Sequence, residues 1–124
     1  MYSIMLKAKL HGARVTSARQ DYEGSLEIDL DLMDAVKIVP YEKILIANVE
    51  NGNRFETYAI PGERGSGVIG LNGATVHMGS VGDRLIVFTF ALVSEDELAH
   101  HAPLVLVLDE NNRPAGGLKA VEAH

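Results

Sequence analysis

The sequence predicts a mainly β fold with few helices, built around one small hydrophobic core. Its 12 glycines divide the chain into short segments, and most of these segments are rich in Val, Ile, Leu, Thr and Phe, which favour strands. The length of 124 residues, 47% of them hydrophobic, is typical of one domain. Many short strands around one core favour a closed barrel, because closure removes exposed strand edges. The periodicity alone leaves the topology of that barrel open.

The predicted strands are the segments in which apolar and β-branched residues cluster. In chain order they are Tyr2 to Leu10, Arg14 to Ala18, Leu26 to Ile28, Lys43 to Val49, Arg54 to Ile60, Gly67 to Leu71, Arg84 to Ala91 and Leu104 to Leu108. Asn51-Gly52 lies between two of these segments, and this pair tolerates the positive φ angles of a tight turn. The strands on either side of it are therefore predicted to form a β-hairpin.

Short helices are predicted at two places. Apolar residues are spaced for a helix over Asp31 to Lys37, and Ser94 to Glu97 fits a capping box that begins a helix through Ala99. The final segment, Asp109 to His124, is polar and is predicted to be a weakly ordered tail.

The composition excludes several classes of protein. The formal net charge is −6, the wrong sign for neutralising phosphates, so we expect no nucleic-acid partner. The longest apolar stretch, Leu85 to Val93, is about half of a membrane-spanning helix, so we expect no membrane span. The chain has no cysteine, which rules out disulfides and thiolate zinc sites, and its first residues lack the basic-then-apolar pattern of a signal peptide. A cytoplasmic protein is the expectation.

Two motifs resemble known ligand sites but lack features that those sites require. Gly65 to Gly70 fits the dinucleotide fingerprint letter for letter, but no strand precedes it and no helix is predicted to begin within it. Asp29, Asp31 and Asp34 resemble a calcium loop, yet Pro40 stands where a bidentate Glu belongs. We therefore predict neither a nucleotide site nor a metal site.

The chemically informative segment is Tyr22-Glu23-Gly24-Ser25, where glycine precedes a hydroxyl residue at the border of a predicted strand. Alone, Gly-Ser predicts only a turn. The other motifs in the same order are Lys9-Leu10-His11, Asn51-Gly52, Arg54 to Ile60, Glu63 to Ser66, Asn72-Gly73-Ala74 and Ser80 to Asp83. The set resembles the pyruvoyl-dependent aspartate 1-decarboxylases from about Met5 to Phe88 without gaps. Thr75 and Met78 depart from the family pattern, and the residues after Leu92 add little.

The resemblance implies a six-stranded double-psi β-barrel with short helices, formed as a single domain by residues 1–124. It implies a homotetramer with active sites between subunits. It also implies that the precursor cuts itself between Gly24 and Ser25 into a β chain, residues 1–24, and an α chain, residues 25–124. Ser25 would become a covalent pyruvoyl cofactor. This group would convert L-aspartate to β-alanine and CO₂ through a Schiff base, feeding pantothenate biosynthesis. Whether a maturation factor is needed stays open.

The resemblance assigns three residues to the processing step. Ser25 supplies the hydroxyl that attacks the carbonyl of Gly24, whose missing side chain gives the backbone freedom to bend. Thr57 is the expected donor to the Gly24 carbonyl oxygen, and one such donor is typically worth about 3 kcal/mol.

Other matched residues serve the substrate. Tyr58 is the expected proton donor, and Lys9 and Arg54 are the expected cations for the two carboxylates, in an order that stays open. The remaining candidates for substrate binding are His11, Thr57, Asn72, Gly73, Ala74 and Thr75, with Tyr22 and His77 as weaker ones.

Two other functions stay open from the residues alone. A small β-barrel of this kind could be a noncatalytic module that binds a ligand or a partner chain, since one fold supports unrelated functions. A metal-dependent enzyme using His11, His77 and an acid is the other alternative.

Overall fold

A computed structural model describes residues 1–120, and within them the fold is mainly β, as predicted. The strands are β1 (Tyr2–Arg14), β2 (Ser17–Arg19), β3 (Ser25–Asp29), β4 (Lys43–Asn48), β5 (Arg54–Gly62), β6 (Ile69–Asn72), β7 (Arg84–Ser94), β8 (Leu104–Leu108) and β9 (Pro114–Ala120). The helix α1 covers Leu30–Val36, and short 3₁₀ helices cover Gly73–Met78 and Leu98–His100. The predicted strand positions are confirmed, with ends that differ by up to four residues, as at β1.

The sheet closes on itself into a barrel. Its strand order is β2-β6-β3-β5-β4-β7-β1-β8-β9, and the segment from Tyr2 to Arg19 supplies both β1 and β2. Val15 donates its N–H to the carbonyl of Asp83, just before β7, and the next residue, Thr16, donates its N–H to the carbonyl of Ile69 in β6. Because successive strand residues point their N–H groups to opposite edges, this segment bridges β7 and β6. The ring within residues 1–120 therefore has six members, as the family resemblance implies.

The predicted hairpin is confirmed between β4 and β5. These strands pair antiparallel, with Ile44 opposite Thr57 and Ala47 opposite Arg54. Gly52 at the turn has φ +76° and donates its N–H to the carbonyl of Asn48 at 2.9 Å. The left-handed backbone at this position explains the glycine.

The core fills the inside of the ring. Alternate strand residues point inward, and helix α1 adds Leu32, Met33 and Val36. The fully buried side chains include Leu10, Leu26, Ile28, Ile44, Ile46, Ile69, Leu71, Leu85 and Val87.

The loop that resembles a dinucleotide fingerprint is a turn tied to Asp29. Gly65 and Gly67 have φ of +75° and +72°, and their N–H groups donate to the buried Asp29 carboxylate at 3.1 and 2.9 Å. The same carboxylate accepts from the N–H of Asp31 and so caps helix α1. The Asp29 carboxylate thus connects the end of β3 with the turn that precedes β6.

Two predictions near the carboxyl end are wrong. The capping box of Ser94 and Glu97 forms a hydrogen bond of 2.8 Å between the two side chains, but it precedes only the 3₁₀ turn Leu98–His100, because Ser94 still belongs to β7. The predicted weakly ordered tail contains β9, which pairs antiparallel with β8. Residues 121–124 of that predicted tail lie outside the described residues.

Within residues 1–120, no helix is both long and apolar enough to span a bilayer.

Candidate active site

Ser25 begins β3 with its side chain directed out of the barrel core. Its neighbour Leu26 pairs with Ala59 of β5, and both are fully buried, so Ser25 and Tyr58 face the opposite side of the sheet. The Ser25 residue is nevertheless only 1% exposed. Its hydroxyl donates to the carbonyl of Glu23 at 3.2 Å. The amide Nδ2 of Asn72 donates to the same hydroxyl oxygen at 3.4 Å.

Gly73 lies against the backbone of the Gly24-Ser25 segment. Its φ is +63°, and a Cβ built there would lie 2.6 Å from the Gly24 nitrogen and 2.7 Å from the Tyr22 carbonyl oxygen. Gly24 itself does not have a left-handed φ, and a Cβ on it would meet no atom within 4 Å. The steric need for glycine is therefore at position 73, and the role predicted for Gly24 stays a prediction.

Two polar residues, Asn72 at the end of β6 and Thr75 just after it, complete the surroundings of Ser25. The buried Thr75 hydroxyl donates to the Asn72 carbonyl at 2.7 Å and lies 3.4 Å from the Ser25 carbonyl oxygen. The Asn72 Oδ1 is buried and has no hydrogen-bond partner among residues 1–120. This acceptor at the end of β6 is available to an incoming donor.

An open cavity of about 360 Å³ lies over Ser25 on this face of the barrel. Its lining residues are Tyr22, Glu23, Ser25, Tyr41, Tyr58, Ile60 and Asn72. The rings of Tyr41 and Tyr58 have centroids 6.1 Å apart. The site thus combines a buried serine hydroxyl with an amide and three tyrosines.

The structure separates Thr57 from its neighbour Tyr58. Phe55 and Ala59, two residues away on either side, pack into the core, so Thr57 points inward while Tyr58 points to the cavity. Thr57 does not line the cavity, and its hydroxyl bonds to no group within the described part of the chain. Its predicted contact with Gly24 is not formed here, and its role stays a prediction.

The candidates Lys9, His11 and Arg54 lie on the outer face of the barrel, away from Ser25. His11 and Arg54 share one row of the sheet, through Ile86 and Ala47. Lys9 lies two residues before His11 on the same face of β1, and its Nζ is 5.7 Å from the centroid of the Phe88 ring. Arg54 precedes Tyr58 by four residues on β5, which puts the two Cα atoms about 13 Å apart. Within residues 1–120, none of these three side chains lines the cavity.

The remaining candidates are at the surface. Ala74 and His77 are exposed on the 3₁₀ helix Gly73–Met78, and neither lines the cavity. Over residues 1–120, no three His, Asp or Glu side chains gather as a metal site requires. The partial calcium motif is a capped helix, with Arg64 donating to Asp31 and Asp34 at 2.8 and 2.7 Å.

The described groups with shifted pKa values also lie outside the cavity. Hydrogen bonds from the Arg84 side chain and N–H lower the pKa of Glu50 to about 2. The Asp31 and Asp34 carboxylates raise the pKa of Arg64. These groups stabilise loops and strand ends, and they do not prepare a proton donor in the cavity.

Sequence reasoning missed Tyr41 as a cavity residue. Pro40-Tyr41 follows a short helix and reads as a connecting turn, and no pattern in the residues predicts that this turn meets β5. A tyrosine in a short turn is the one signal that could have drawn attention to it.

Known proteins resemble this chain over most of its length. The sequence profile of the family described as aspartate decarboxylase matches residues 1–115. The chain is 55% identical to an aspartate 1-decarboxylase of Syntrophobacter fumaroxidans over 121 residues, covering 97% of this chain and 98% of the relative. It is 56% identical to that of Desulfotalea psychrophila, covering 87% of this chain and 91% of the relative. On this evidence the chain belongs to the aspartate decarboxylase family.

Proposed function

We propose that this protein is an aspartate 1-decarboxylase, which converts L-aspartate to β-alanine and CO₂ and so feeds pantothenate biosynthesis. The observation that carries the proposal is the buried Ser25 hydroxyl beneath an open cavity, beside Gly24 and within reach of the Asn72 amide. Family membership supports the reaction, and the placement of Ser25 supports its chemistry. The cytoplasmic location expected from the sequence stays a prediction.

The proposed first step is self-processing at Gly24-Ser25. The Ser25 Oγ attacks the Gly24 carbonyl carbon, and the acyl group moves from nitrogen to oxygen, which breaks the peptide bond and forms an ester. Loss of the Ser25 α-proton expels the Gly24 carboxylate and leaves a dehydroalanine. Water then replaces the nitrogen, which leaves as ammonia, and the α chain begins with a pyruvoyl group. The close packing of Gly73 on Gly24 supports this step, because it limits how the segment can move.

The residues around Ser25 fit a pyruvoyl group. The group contains fewer heavy atoms than the serine it replaces, so the buried space at residue 25 accommodates it. The Asn72 Nδ2 now donates to the Ser25 Oγ, which leaves with Gly24, so this donor would become available to the new ketone. Thr75 would support the carbonyl of the same residue. When present, the ketone withdraws electrons as the substrate carboxylate leaves.

Tyr58 is the proposed proton donor at carbon. It shares the cavity with Ser25, and its strand is hydrogen-bonded to β3. A general acid must stand within reach of the atom that it protonates, and the position of Tyr58 on the same face of the sheet as Ser25 supports this role. The unpaired Asn72 Oδ1 offers an acceptor for a donor group on the substrate.

The proposed assembly is a homotetramer with its sites between subunits. Within one chain, Lys9 and Arg54 lie away from the cavity, although a substrate with two carboxylates needs cations. The same outer face exposes Ile4 and Leu92, which are 74% and 69% accessible, and apolar surface of this kind favours association. A second copy would bring its own cations to the cavity.

The experiment is a mass measurement of the purified protein followed by an assay for β-alanine. We expect two fragments, residues 1–24 and 25–124, with a pyruvoyl group on the larger one, and β-alanine formed from L-aspartate. Ser25→Ala should remain one chain and make no product. A single uncut chain that makes no β-alanine would favour the noncatalytic binding module instead.

The assembly has a separate test in light scattering. The expected mass is that of four processed chains. An active monomer would contradict the shared site.

A further inference from the structure

Tyr41 has a backbone conformation that a large side chain rarely adopts. Its φ is +71°, in the left-handed region where aromatic residues are true outliers. Two other described residues besides glycines share a positive φ, Lys37 and Asn112. Asn adopts this region readily, and Lys37 ends helix α1, where a left-handed residue is common. Tyr41 has neither explanation.

Several contacts hold Tyr41 in this conformation. Its N–H donates to the Ala59 carbonyl at 2.8 Å, and the Ala59 N–H donates to the Glu42 carbonyl at 3.0 Å. The Glu42 carboxylate accepts two bonds of 2.9 Å from Lys7 and one of 3.0 Å from the Val39 N–H. Strained backbone persists only where its surroundings determine it in this way. The turn is therefore fastened to β5 at the residue next to Tyr58.

The strained backbone directs the Tyr41 ring onto Tyr58. The ring planes are inclined by 36° at a centroid distance of 6.1 Å, within the range of favourable aromatic pairs. Tyr41 is 77% exposed, so burial of its own ring does not explain the strain. The Tyr58 hydroxyl has no hydrogen-bond partner in the described part of the chain, so ring packing is what orients it.

We infer that Tyr41 is a positioning residue, which holds the Tyr58 ring at the Ser25 cavity for proton transfer to the product carbon. The inference rests on the proposed decarboxylation, in which Tyr58 donates that proton. Tyr41 acts through Tyr58 and not on the substrate. Its removal therefore lowers kcat, while self-processing and KM are unaffected.

The test compares Tyr41→Gly with a matched control, Lys37→Gly. Both changes relieve a left-handed residue in the same connecting region, so both should leave the melting temperature unchanged or raise it. Tyr41→Gly should lower kcat roughly two- to tenfold, the scale of one aromatic pair. Lys37→Gly should leave kcat unchanged, and Tyr41→Phe, which keeps the ring, should restore it.

Each outcome decides the inference. A stable, fully processed Tyr41→Gly enzyme with the unmodified kcat overturns it. A loss of kcat accompanied by lower stability or incomplete processing also overturns it, because the role would then be structural. If Tyr41→Gly does not fold, Tyr41→Asn serves instead, since Asn accepts the same φ. Failure of the unmodified protein to make β-alanine would refute the proposed function itself, which is a separate result.

Discussion

Substitution of Gly73 by alanine should lower the stability of the fold and slow the cleavage between Gly24 and Ser25. The new Cβ would lie 2.6 Å from the Gly24 nitrogen and 2.7 Å from the Gly24 Cα. Both are backbone atoms, which cannot rotate away as the end of a side chain can. Alanine at the left-handed φ of +63° costs about 1–2 kcal/mol. The forced displacement adds about 1–3 kcal/mol, the usual cost of overpacking.

Gly52→Ala is the matched control for this substitution. Gly52 also has a left-handed φ, of +76°, but a Cβ there would meet nothing within 4 Å. Both variants therefore have the same cost of a left-handed alanine and the same effect on the unfolded chain. The difference between their free energies of unfolding measures the collision of the new Cβ with Gly24. We expect Gly73→Ala to be less stable than Gly52→Ala by about 1–3 kcal/mol.

The assay is urea unfolding in a Ser25→Ala background, at one protein concentration, so that every variant remains a single uncut chain. In the background with Ser25 intact, mass spectrometry follows chain cleavage over time. Gly73→Ala should be cut at least about fivefold more slowly, the rate equivalent of about 1 kcal/mol, because Gly24 is displaced. Equal stabilities for the two alanine variants, with normal cleavage of both, would refute the reasoning.

Three further predictions concern single side chains. Tyr58→Phe should be processed normally but form β-alanine roughly 10²- to 10⁴-fold more slowly; an unmodified rate in processed enzyme would return Tyr58 to a packing role. Arg54→Ala should be processed, but its kcat/KM should fall by the equivalent of about 1.5–3 kcal/mol, because the substrate loses a charged hydrogen bond. Normal steady-state kinetics of this variant would exclude Arg54 as a carboxylate ligand. The pKa of Glu50 falls from 4.5 to about 2 in the folded protein, so the stability that it contributes is present above pH 4.5 and is lost as the pH falls towards 2. The difference in melting temperature between the unmodified protein and Glu50→Gln should therefore shrink over that interval, and a difference that stays constant with pH would show that the bond to Arg84 is unimportant.

Most strands could be predicted because their residues are clustered and typical of strands. The turn at Asn51-Gly52 sets the register of β4 and β5 by local chemistry alone. Strand β9 could not be found in this way, since its sequence PAGGLKA contains proline and two glycines and lacks alternation. It forms because the exposed edge of β8 pairs with it, and such a partner is not visible in a single segment.

Part of the candidate site could likewise be predicted from short motifs, whereas the rest depends on contacts between distant segments of the chain. The order of the motifs was enough to single out Ser25 and Tyr58, and the structure places both at one cavity. The alignment of His11 with Arg54 in one row depends on the register of four strands, β1, β7, β4 and β5. Tyr41 enters the cavity through a bond to Ala59, a contact between segments that no spacing encodes.

The segment that closes the barrel has a consequence for how the processed molecule could refold. β1 and β2 both lie before Gly24, so a cut after this residue would leave one whole member of the ring as a separate peptide, retained by hydrogen bonds to β6, β7 and β8. Folding of the uncut chain is a first-order process, whereas reassembly of the cut chain would require two peptides to meet and would slow on dilution. The chain must then fold before it is cut. Once lost, its native state would return at a rate set by peptide concentration.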